Sequence, residues 1–191
     1  MGLRRGIDRP AMERELARGT VQCCLNVHTV RPGDFFYVPA GTPHAIGAGV
    51  LLAEIQQTSD TTFRLFDWNR LDPATGRQRE LHLEAALDSI DFQASPPLHT
   101  HVSPEDRALK TELLAPGACP HFTVSRRFLT GNTSLGAIDR FHILICLSGS
   151  GKVASSTCST SLARGGVVLL PATAPFRCTA DRTLELLDVT V

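Results

Sequence analysis

The sequence predicts an all-β protein made of two related β units with a few short helices, and three observations carry that reading. Apolar runs of strand length, such as Phe141 to Leu147 and Leu184 to Val191, are bounded by Gly, Pro and Ser. Turn chemistry such as Arg31-Pro32-Gly33-Asp34 separates segments rich in β-branched and aromatic residues. Gly33-x5-Pro39-Ala40 is echoed by Gly165-x5-Pro171-Ala172, each a Gly turn, a hydrophobic strand and a Pro-Ala exit, which implies an internal repeat.

Taken in chain order, Asp8 to Gly19 reads as a helix. Asp8 can cap it, Pro10 suits its first turn, Met12 and Leu16 share a face, and Gly19 stops it. Val21 to Val30 and Phe35 to Val38 read as strands. A second helix is expected at about Arg79 to Ile90, where Leu83, Leu87 and Ile90 fall at helical spacing. Prolines crowd Ala94 to Pro120, and within it residues 94–109 read as a linker ahead of a strand at Lys110 to Leu114. From His121 onward the pattern is β, with strands at Phe122 to Phe128, Phe141 to Leu147, Gly166 to Leu170 and Leu184 to Val191. Ser148-Gly149-Ser150-Gly151 is expected to turn between two of them. The domains are thus 1–93, a linker 94–109, and 110–191.

The 191 residues are 42% hydrophobic and 20% charged, with 19 basic against 19 acidic side chains, the balance of a folded soluble domain rather than a disordered chain. Zero formal net charge with no basic run removes the electrostatic footprint of nucleic-acid binding. The apolar runs are far shorter than the roughly 20 residues that span a bilayer, and the start is too polar for a signal segment. No membrane association is expected, and the cytoplasm is the expected location. The six cysteines lack C-x-x-C spacing and read as buried or half-buried free thiols.

The chemistry concentrates after the first strand. Gly33-Asp-Phe-Phe-Tyr-Val-Pro39-Ala-Gly41-Thr-Pro-His44 is G-x5-P-x-G-x2-H, which resembles the second signature motif of the cupin superfamily, a jelly-roll β-barrel. Gly41 tolerates a tight turn, and the imidazole that follows can ligate a divalent metal. The second copy has Phe176 in that place, so the 110–191 unit is expected to be metal-free.

The next stretch, Ala53-Glu54 through Gln57-Thr58-Ser59-Asp60, Thr62-Phe-Arg64, Asp67-Trp68-Asn-Arg70 and Arg79-Glu80-Leu81-His82, is similar to the type I mannose-6-phosphate isomerases in their short bacterial form. The resemblance runs from Gly2 to about Phe92 and implies an aldose-ketose isomerase acting on a sugar phosphate. It makes His44 a zinc ligand, Arg64 the active-site arginine, and Asp60 and Glu54 acidic groups of the same pocket. If 60 to 64 is a strand, Asp60, Thr62 and Arg64 face one way. A simple Asp60 to Arg64 ion pair that shapes the pocket is the competing reading.

Members also carry an upstream His-Pro-x-Asp element and a Gly-Lys-x-Glu element that supply the other metal ligands and a lysine, and neither occurs here. The resemblance therefore implies a chain without the N-terminal part, with one recognisable Zn2+ ligand, which is inactive alone or associates with a missing N-terminal half or a second copy. The alternative is a noncatalytic cupin module that binds a sugar phosphate or a partner subunit. His99-x-His101 has ligand-like spacing but reads as a solvated loop, and His28 and His142 read as packed strand residues.

Overall fold

The computed structural model describes residues 1–59, 61–135, 140–173 and 175–191. Asp60 lies outside the described residues. The chain divides into two compact units, Met1–His101 and Val102–Val191.

In the first unit, helix α1 (Arg9–Ala17) is built as its residues dictate. Asp8 caps it by accepting from the Ala11 N–H at 2.9 Å, Pro10 sits in its first turn, and Gly19 leaves it at φ +70°. Met12, wholly buried, packs with Val21, Cys24 and Leu87. Val21 and Cys24 reach that core from one turn of 3-10 helix (Val21–Cys24), so the strand expected over Val21 to Val30 does not form. The i, i+3 spacing of the two buried residues suits such a turn better than the period of 2 a strand needs.

Strand β1 (Asp34–Tyr37) pairs antiparallel with β2 (Leu98–His101), Asp34 opposite His101 and Tyr37 opposite Leu98. Thus residues 94–109 are not structureless, and the division between units falls just after β2. Helix α2 (Leu83–Ser89) starts four residues later than its apolar spacing suggests. Arg79 to His82 are held instead by Asp67 and Arg64.

The second unit carries β3 (Lys110–Leu114), β4 (Thr123–Leu129), β5 (Asn132–Leu135), β6 (His142–Ala154), β7 (Ser159–Ala163), β8 (Val167–Leu170) and β9 (Phe176–Thr190). They form one antiparallel sheet in the order β3-β4-β9-β6-β7, with β5 also beside β9 and β8 beside β6. Leu129, Leu144, Leu170, Leu184 and Leu186 make its core, with Phe176 and Cys178. Phe176 is buried inside this unit.

Ser148 to Gly151 is not a turn. It continues β6 opposite β9, with register shifts between Cys146 and Ser148 and between Gly149 and Gly151. Gly149 has φ +81°, and a Cβ there would sit 2.0 Å from the Thr183 carbonyl oxygen; at Gly151 it would sit 2.3 Å from that of Thr179. These glycines permit a bulge and close backbone approach. His142 is packed as expected: its Nδ1 lies 2.7 Å from Asp188, which also accepts from Arg127 Nε at 2.6 Å. All six cysteines are free; four are buried, whereas Cys23 and Cys158 are exposed.

Candidate active site

The turn before His44 is set by Gly41, whose φ of +79° suits glycine and where a Cβ would lie 3.0 Å from the Asp91 Cβ. Beyond it, the carbonyl of buried Thr42 accepts from His44 Nδ1 at 3.0 Å. A carbonyl can only accept, so Nδ1 carries a proton, and the neutral tautomer with that proton has its lone pair on Nε2. The side chain is exposed.

Arg64 is positioned by a clip rather than by a strand. Its N–H donates to His82 Nδ1 at 3.2 Å, its carbonyl accepts from the His82 N–H at 2.8 Å, and its Nη1 donates to the Glu80 carbonyl at 2.9 Å. Among the described residues none from 61 to 67 lies in a strand, so the alternation expected to align Thr62 with Arg64 is not what orients it.

His44 and Arg64 nonetheless line one cavity of about 330 Å³, together with Thr42, Phe63 and Trp68. That volume matches the lower end of small-molecule sites. Glu54 is exposed and outside that lining.

Sequence reasoning passed over Asp67. It is buried and accepts from Arg70 Nε at 3.1 Å and Nη2 at 2.5 Å, from Arg79 Nε at 2.9 Å, and from Arg79 Nη2. The Arg79 guanidinium, followed by that of Arg70, holds its carboxyl well below the usual carboxylate range. A lone Asp between two arginines of the resembling stretch was the available signal.

A second polar cluster lies on the β1–β2 pair. Asp34 Oδ1 is 2.8 Å from His101 Nδ1 and 3.1 Å from His99 Nε2, and its Oδ2 accepts from the Arg31 N–H at 2.9 Å. Chiefly the Arg31 N–H, then the two imidazoles, bring its pKa down to about 2. Phe36 stacks on His99 at 4.4 Å and meets His28 edge-on at 5.3 Å. His99 and His101 are therefore strand residues, and His28 is exposed rather than packed.

Zinc, which the resemblance implies, needs three or four ligands. Among the described residues no group of three or more His, Cys, Asp or Glu could hold a metal ion. His44 fits as one ligand, and the described residues do not by themselves fit a complete site.

No protein-family model matches the chain. Mannose-6-phosphate isomerase ManA of Bacillus subtilis (strain 168) is 42% identical over 158 residues, covering 82% of this chain and 49% of that protein. A mannose-6-phosphate isomerase of Streptococcus mutans is 33% identical over 162 residues, 85% of this chain and 50% of that one. Over that span the chain is similar to mannose-6-phosphate isomerases. The crystal structure of the mannose 6-phosphate isomerase from Bacillus subtilis matches all of this chain and 58% of its own, with a TM-score of 0.76 and 26% identity. The chain spans about half the length of the curated relatives it matches. Its fold is mostly β and matches that of the isomerase over the whole chain. Among the described residues no helix is long and apolar enough to cross a membrane.

Proposed function

We propose that this chain carries the sugar-phosphate cavity of a mannose-6-phosphate isomerase, interconverting mannose 6-phosphate and fructose 6-phosphate in the cytoplasm. The observation that carries the reading is His44 and Arg64 on one cavity wall, in a chain akin to isomerases of that name. The reaction moves a proton between C2 and C1 through an enediol-type intermediate, and so needs a cation for developing negative charge and an acid/base group near the carbons. Arg64 supplies the cation, its guanidinium staying charged and able to bind phosphate or enediolate through two donors. Asp60 and Glu54 are the proposed acidic groups. We assign His44 to zinc, with the remaining ligands drawn from the part of the relatives that this chain does not match.

Partnership with that other half, or with a second copy, is supported by Ile46, Val50, Leu51 and Leu52. These residues are exposed on a segment outside any described strand. The incomplete ligand set favours a second reading, a noncatalytic module that holds the sugar phosphate without turnover.

The test joins this chain to the half of Bacillus subtilis ManA that it does not match. The chimera should isomerise mannose 6-phosphate when zinc is supplied. Arg64→Ala should lower the rate by about 100-fold or more with Tm unchanged, and Arg64→Lys should recover part of it. A folded chimera whose rate ignores Arg64→Ala contradicts the assignment, and one that binds the sugar phosphate without turnover favours the module.

A further inference from the structure

Trp68 stands where an unstrained chain would not put it. Trp68 and Asn69 have φ of 50° and 52°, and the Arg70 N–H donates to the Asp67 carbonyl at 3.0 Å, the pattern of a type I′ turn. Asn is at home at such a position; a bulky aromatic at positive φ is an outlier. Asp67, gripped by Arg70 and Arg79, holds the turn from both sides. The ring gains little burial in return: it remains 48% exposed, propped edge-on by Phe66 at 5.3 Å and 76°, in the wall of the cavity that His44 and Arg64 line. Backbone strain that packing does not explain is characteristic of ligand clamps.

We propose that Trp68 is the platform on which the hexose ring of the sugar phosphate rests, its indole face against the apolar C–H face of the sugar, while Arg64 takes the anion. This rests on the proposed sugar-phosphate cavity and adds the residue that recognises the ring rather than the charge. A π face attracts the weakly positive C–H groups of a pyranose and removes apolar surface from water. Inorganic phosphate, which has no such face, should be indifferent to the ring.

Trp68 is the sole tryptophan of the chain, so its emission reports on this wall alone. Mannose 6-phosphate should change that emission saturably, and inorganic phosphate should not. Trp68→Asn relieves the strained turn and should leave Tm unchanged or higher. By calorimetry it should weaken mannose 6-phosphate about tenfold or more, and leave inorganic phosphate within about twofold. Emission unmoved by mannose 6-phosphate overturns the platform. So does a Trp68→Asn variant of unchanged sugar-phosphate affinity, or one that melts lower and loses both ligands together. If the emission responds and Trp68→Asn weakens the sugar phosphate while the chimera does not turn over, the isomerase reading fails and the platform stands. If the chimera turns over with KM unchanged by Trp68→Asn, the platform fails and the isomerase reading stands.

Discussion

Five residues past the proline of its Pro-Ala exit the first unit has His44 and the second has Phe176, and this exchange separates an exposed imidazole on a cavity wall from a ring that packs. Phe176 is 8% exposed within the buried cluster of Leu144, Leu170 and Cys178. Phe176→Ala should therefore cost about 3 to 5 kcal/mol in chemical denaturation; a loss under about 1 kcal/mol would mean the site collapses around the missing ring. Asp34 gives a pH signature of its own. Its folded pKa, about 2, lies below the usual carboxylate value, so its contribution is present above about 4 and is lost as pH falls toward the folded value. Wild type should melt above Asp34→Asn near neutral pH, and the difference should shrink below about pH 4. A difference that grows on acidification would contradict the assigned contacts. His44 was legible because the motif spacing names it. The cluster around Asp34 was not, because it pairs residues 65 and 67 positions apart across a strand register no local pattern encodes.

At the scale of elements, α1 was readable because its cap, its first-turn proline and its terminating glycine all lie within its own sequence. The strand expected at Val21 to Val30 failed for the opposite reason. Its β-branched composition was overridden by burial of Val21 and Cys24 against Met12. Ser148 to Gly151 carried turn composition, but its glycines answer to β9, a partner invisible to a local reading. Gly149→Ala should then lower Tm sharply, since the methyl group would meet a backbone carbonyl and the φ is left-handed. Ser148→Ala, at an exposed position of the same strand, should shift Tm much less. Three strands of the second unit are tied at one point, where Asp188 of β9 meets His142 of β6 and Arg127 of β4. Asp188→Ala should cost about 3 to 5 kcal/mol, because it takes the buried carboxylate away from half-buried Arg127 and buried His142 at once; urea titration of the variant measures it. An unchanged midpoint would show that the cluster contributes nothing net.

For the whole molecule, the all-β class was legible in the apolar runs of strand length, and the Gly-x5-Pro-Ala echo has one copy in each of the two units. Gly33 and Gly165, the first residues of its two copies, both adopt positive φ, 94° and 81°. The cavity was legible only in part. Motif and resemblance pointed to His44 and Arg64, but the clip from Arg64 to His82 and the turn that carries Trp68 arise from contacts made in the folded chain. The central claim is that this cavity takes a sugar phosphate through Arg64, and binding tests it without requiring turnover. The phosphorus NMR signal of mannose 6-phosphate should shift and broaden saturably with the wild-type chain. With Arg64→Ala the affinity should fall about tenfold or more while Tm is retained. Equal affinity in the two proteins, or no response from the wild type, would contradict the account.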